Sequence, residues 1–111
     1  MNENLATGPI YSSLATEPDL MELVASYVDV MPQRIATLLE AYESGNYEQM
    51  EVQSHQLKGT LGSYGFDELT PLAAQLERKV KSREPEEEIL EAVQALTEQC
   101  RRLSAEMPPT E

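Results

Sequence analysis

Hydrophobic positions recur at spacings of three and four along most of the chain, the pattern of helices that each bury one face. From Thr16 to Met31 it runs through Leu20, Leu23, Val24, Tyr27, Val28 and Met31. This predicts a first helix capped by Thr16, with Pro18 in its first turn. Pro32 suits the start of a second helix, where a missing N–H costs nothing. That helix turns Ile35, Leu38, Leu39 and Tyr42 inward and stops at Gly45, a residue suited to a left-handed C-cap. Asn46, with Gln49 three residues on, resembles a capping box and opens a third helix with the seam Met50, Ser54, Leu57, Leu61 and Tyr64, ended by Gly65. A fourth helix begins between Asp67 and Pro71 and presents Leu69, Leu72, Leu76 and Val80. Pro71 is either its first residue behind a Thr70 cap or lies a turn inside. The last helix opens at Pro85 with Glu86, Glu87 and Glu88 and closes near Arg101 and Arg102, complementing its dipole at both ends. Its seam is Ile89, Ala92, Val93, Leu96, Cys100, Leu103 and Met107.

Connections of a few residues favour antiparallel neighbours. The expected fold is all-α, an up-down antiparallel four-helix bundle with an additional short N-terminal helix. The bundle domain is placed at residues 16–107, between an N-terminal tail, 1–15, and a C-terminal tail, 108–111. A length of 111 residues suits one domain with one core. Aromatics make up 5% of the chain and Trp is absent, which favours helices over a β-sandwich.

Charge narrows the partners. Twenty acids against eight bases give a net charge of −12, which repels both a phosphate backbone and an anionic membrane surface. Neither nucleic acid nor membrane is expected as a partner. Cys100 is the single cysteine, so there is no intramolecular disulfide and no cysteine-rich metal site. With no signal-like N-terminus and no apolar run near membrane-spanning length, the expected location is the cytoplasm and the expected state a monomer.

One segment departs from good helix composition. MEVQSHQLKGTLGSYGF, Met50 to Phe66, holds the only histidine, His55, and the glycines Gly59, Gly62 and Gly65. Each glycine inside a helix costs about 1 kcal/mol relative to Ala. At 100° per residue, Lys58, Gly59 and Gly62 share the His55 side, whereas Leu57, Leu61 and Tyr64 face the core. The result is a single outward imidazole beside a cation and two positions without side chains, open to another protein. An imidazole titrating near pH 6.5 is largely unprotonated and nucleophilic at neutral pH. A lysine at i+3 favours an anionic adduct such as phosphate. The residues thus point to a surface histidine that accepts phosphoryl groups, against two plainer readings: an ordinary surface histidine, or glycines that let a neighbouring helix approach. A metal site is disfavoured, because one His and one Cys far apart cannot supply the usual ligands. A hydrolytic triad is weak too: Ser54 faces the core and no oxyanion-hole motif accompanies Ser63.

SHQLKGTLGSYGF resembles the His-x-Leu-Lys-Gly core of the histidine-containing phosphotransfer (Hpt) domains of multistep phosphorelays, and LTPLAAQLE resembles the helix that follows it in that family. The resemblance covers roughly Leu20 to Ala105. It implies a four-helix bundle whose third helix exposes His55 for phosphorylation at Nε2, with Lys58 assisting the phosphoryl group and Gly59 leaving room for the incoming domain. It also implies a hydrogen bond from His55 Nδ1 to Glu77 and a second basic residue at Lys81 or Lys79. Glu51, one turn before His55 on its own helix, is a competitor for that bond. Val52, Gln56 and Gly62 join Gly59 as expected partner contacts, with Leu39 a further candidate for an apolar rim.

The implied partners are response-regulator receiver domains and a hybrid histidine kinase, in two-component signal transduction. The implied role is a phosphocarrier without turnover of its own, a phosphohistidine passed between receivers. No cofactor and no metal is expected in this chain, and Mg²⁺ is expected in the receiver. The alternatives are an interaction module that is never phosphorylated, the excised input domain of a chemotaxis-type kinase, and the dimeric phosphoacceptor domain of sensor kinases. In the last a Pro usually follows a His-Glu pair, whereas His55 is followed by Gln. The Met1 start and short Pro-rich end suggest a free-standing protein.

Overall fold

The computed structural model describes residues 8–108. Four helices form the body: α1 (Pro18–Glu43), α2 (Tyr47–Ser63), α3 (Thr70–Lys81) and α4 (Glu86–Cys100). A single 3₁₀ turn, Asp67–Leu69, precedes α3. Pairs across the interfaces give the directions. Tyr27 in the first half of α1 bonds Thr60 near the end of α2, and Tyr42 near the end of α1 bonds Glu86 at the start of α4. Between α3 and α4, Lys79 meets Glu88. The helices therefore run up and down, with α4 closing the ring on α1. Among the described residues no helix is long and apolar enough to cross a membrane.

The short extra helix expected at the N-terminus is not a separate element. The two segments read on either side of Pro32 form one helix of 26 residues with Pro32 inside it. A proline in a helix interior costs about 3 kcal/mol. Here Pro32 faces solvent while Val24, Tyr27, Met31, Ile35 and Leu38 stay buried on one continuous seam. Fully burying one such side chain contributes about 1.5–3 kcal/mol, so the seam outweighs the proline. Thr16 does not cap this helix: Glu17 is the N-cap residue and gives no side-chain bond, while Pro18 occupies the first turn.

The other boundaries follow local chemistry. Asn46 Oδ1 accepts from the Gln49 backbone N–H at 3.0 Å and starts α2. Gly45 and Gly65, at φ +68° and +87°, end α1 and α2. Thr70 is the first residue of α3 rather than its cap, and Pro71 lies in the first turn. Arg83, at φ +53°, turns the chain after α3 and lays its guanidinium over the Tyr47 ring. Most seam positions are buried, but Leu23 and Met107 are more than half exposed. Burial pushes the Cys100 thiol up to about 12, so it stays protonated at neutral pH.

The chain ahead of α1 is packed on the bundle from Ile10 onward, within the stretch the sequence assigns to a tail. Strand β1 (Ile10–Tyr11) pairs in parallel with β2 (Leu103–Ser104), and Ile10, Ser12 and Ala15 are buried. Ser12 Oγ donates to the Tyr64 carbonyl at 2.6 Å and the Ser13 N–H donates to Gly65 O at 2.8 Å. This arm therefore holds the C-terminal end of α2, the helix that carries His55.

Candidate functional site

The site lies where α2 crosses α3. Met50, Ser54, Leu57 and Leu61 bury one face of α2, and Ser54 Oγ donates to its own helix, to Met50 O at 2.9 Å and Glu51 O at 3.1 Å. With that face committed to the core, His55 points outward, its side chain 67% exposed. From α3, Leu76 and Val80 enter the core, and Glu77 beside them rises to the boundary between the helices with only 6% of its side chain exposed.

Three donors converge on that carboxylate. His55 Nδ1 lies 2.9 Å from Glu77 Oε2, Lys58 Nζ 2.8 Å from Oε1, and Lys81 Nζ 3.3 Å from Oε2. The Lys58 ammonium beside Glu77, with further help from His55 and Lys81, outweighs the burial that opposes ionisation and holds the carboxyl down at about 2. An ionised Glu77 accepts a hydrogen bond from Nδ1–H. That fixes the tautomer in which Nε2 carries the free lone pair.

This depression yields a stability prediction. A carboxyl lowered from 4.5 to about 2 contributes stability that is fully present above its unfolded value and is lost as pH falls through the folded one. Wild-type protein should therefore lose about 2 kcal/mol between roughly pH 5 and pH 2 that Glu77→Gln does not lose. That is less than the full shift would give, because both lysines keep contact with water. Urea unfolding at steps across this range measures the difference, and parallel curves for the two proteins would contradict it.

The remaining expected residues separate into two groups. Gly59 is exposed, and a Cβ built there meets nothing within 4 Å. Val52 and Gln56 are exposed, and with Glu48, Glu51, His55, Glu77 and Lys81 they line a shallow depression of about 530 Å³. Gly62, expected on the same open patch, instead faces the turn into α3, 3.6 Å from Thr70 Oγ1 and 3.7 Å from Asp67 Oδ1 as judged from an added Cβ. Leu39 is also elsewhere, in a groove with Cys100, Arg101 and Leu103.

Glu51 does not take the imidazole bond; its nearest cation is Lys81, at 3.9 Å. The choice between Lys79 and Lys81 falls to Lys81, since Lys79 turns to Glu88. The i,i+4 spacing of Glu77 and Lys81 carried that signal in the sequence. Among the described residues, no group of three His, Cys, Asp or Glu side chains is placed to hold a metal ion.

An exposed imidazole with one nitrogen tied to a carboxylate and a lysine one turn along can act as a nucleophile toward an anionic group. Comparison at the level of families agrees. The model of the Hpt domain matches residues 22–106, and the chain belongs to that family. Hpt domains are phosphocarrier modules rather than enzymes; they act in two-component phosphotransfer and interact with receiver domains and kinases. Comparison with curated proteins and with solved structures gave no significant match.

Proposed function

We propose that this chain is a phosphorelay intermediate in which His55 takes a phosphoryl group from the aspartyl phosphate of one receiver domain and passes it to the aspartate of another. The observation that carries this reading is the 2.9 Å contact between His55 Nδ1 and the buried Glu77 carboxylate, with the rest of the ring open to solvent. In the forward step the Nε2 lone pair attacks phosphorus, the P–O bond to the receiver aspartate breaks, and the carboxylate leaves on the receiver. The ring then holds the phosphoryl group on Nε2, the Nδ1 proton toward Glu77, and a positive charge between them. Glu77 opposes that charge as it forms, which lowers the barrier to loading.

Lys58 neutralises part of the phosphoryl charge, and Gly59 lets the partner's backbone come close to the ring. A metal ion held by the receiver would shield phosphoryl charge during transfer. Val52 and Gln56 supply contact surface on the face of α2 that His55 occupies. A hybrid histidine kinase is the natural source of the first receiver, and the cytoplasm is the compartment where the carrier and its receivers meet. A monomer suffices for this role, because one chain supplies all four helices.

The test is transfer from a panel of phosphorylated receiver domains of the same cell, followed as label on this chain. Lys58→Ala should slow transfer by roughly 10- to 100-fold without abolishing it, as expected for loss of one charge-assisted contact worth about 1.5–3 kcal/mol. An unchanged rate would take Lys58 out of the mechanism. Binding to receivers without label on this chain would favour the interaction module.

A further inference from the structure

Glu77 serves more donors than an orienting group needs. One buried carboxylate holds the imidazole N–H and both nearby ammonium groups, and each lysine, unlike Glu77, stays partly in water. A phosphoryl group on Nε2 carries close to two negative charges and three acceptor oxygens. It stands one ring's width from a carboxylate whose single charge is divided among three donors, so it is the stronger partner for a cation. Lysine stems are flexible and rotate far faster than phosphoryl groups are transferred.

We infer that Glu77 is the resting position of Lys58 and Lys81, and that phosphorylation of His55 moves both ammonium groups from Glu77 to the phosphoryl oxygens, leaving the carboxylate to the Nδ1 proton alone. The inference rests on His55 as the phosphoacceptor and assigns the unphosphorylated state a function: it stores the charges that the adduct will use. The charged groups facing the ring and Glu77 are Glu48, Glu51 and Lys58 from α2, and Arg78 and Lys81 from α3. Once the two lysines have turned to the phosphoryl group, the undivided carboxylate keeps the proton on Nδ1. A phosphoryl group on an imidazolium leaves more readily than one on a neutral ring. Glu77 is therefore a positioning residue for the lysines as well as for the ring.

Phosphoramidate tests this without any receiver. Nε2 attacks phosphorus, the P–N bond of the reagent breaks, ammonia leaves, and the ring keeps its Nδ1 proton and takes the positive charge. His55 is the only histidine, so one phosphorus NMR signal reports the adduct. Lysine ammonium ¹H–¹⁵N spectra, assigned with Lys58→Ala and Lys81→Ala, should show both signals shifting when the adduct forms. The adduct's Nδ1 proton should be lost at a pH at least about one unit lower in Glu77→Gln, a tenfold weaker hold.

Lysine signals that stay in place while the adduct forms, or equal midpoints in the two proteins, would overturn the inference. Should Glu77→Gln fail to fold, the wild-type lysine spectra decide alone. Lysines that move with the phosphoramidate adduct in a protein that no receiver can load would keep the inference and remove the relay. Failure of phosphoramidate to modify His55 would remove both.

Discussion

Replacing His55 with Gln should abolish phosphoryl acceptance and leave the bundle intact. The ring is mostly in solvent, so its loss should change stability by no more than about 0.5 kcal/mol. Glu77 is not left unpaired by the change, because Lys58 and Lys81 still hold it. A glutamine amide can donate toward the carboxylate, but it has no nitrogen lone pair to attack phosphorus. Thermal melts of the two proteins should overlay, and label from a phosphorylated receiver should appear on the wild type alone. Label persisting on His55→Gln would mean that another side chain is the acceptor.

Gly65→Ala should be the most destabilising single methyl at the glycines around the site, at about 3 kcal/mol. Gly65 sits at φ +87°, and a Cβ there would fall onto Ser12 Oγ and come within 2.9 Å of Ser13 N and 3.0 Å of Leu14 N. The left-handed conformation alone costs a non-glycine residue about 1–2 kcal/mol, and the overlap with the arm adds about 1–3 kcal/mol. The neighbouring atoms are mostly backbone, so a side chain cannot simply turn aside. Gly59→Ala is the contrast. Its methyl meets nothing and improves the helix, so it should stabilise the fold by up to about 1 kcal/mol while slowing transfer from receivers. Urea titrations of both variants, with transfer rates for the second, check these outcomes. A Gly59→Ala protein that transfers at the wild-type rate would leave this glycine without a role in docking.

The seams of α2 and α4 were legible because the 3–4 spacing, the Asn46 cap and the Gly65 stop all agree with one another. Pro32 misled for an identifiable reason. The spacing from Met31 to Ile35 continues the seam across it without a change of phase, and packing along that seam outweighs a local rule. The arm at Ile10 to Ala15 left almost no signal, since two short strands joined across the whole length of the chain have no periodicity to read. At the site, sequence spacing placed His55, Lys58 and Gly59 on one face because they share a helix. Glu77 came only through resemblance to the family, since nothing in α2 says which residue of another helix will stand beside the ring. Gly62 shows the limit of the wheel: the same angular sector holds both the open patch and the edge that meets the turn before α3.

The central claim is that His55 carries a phosphoryl group between receivers, and onward transfer tests it most directly. Wild-type protein loaded from one phosphorylated receiver, freed of that donor and mixed with a second, unlabelled receiver should lose an acid-labile, base-stable adduct from His55 while label appears on the receiver aspartate. Label that never loads onto His55, or that leaves it only to water whichever receiver is offered, would contradict the account.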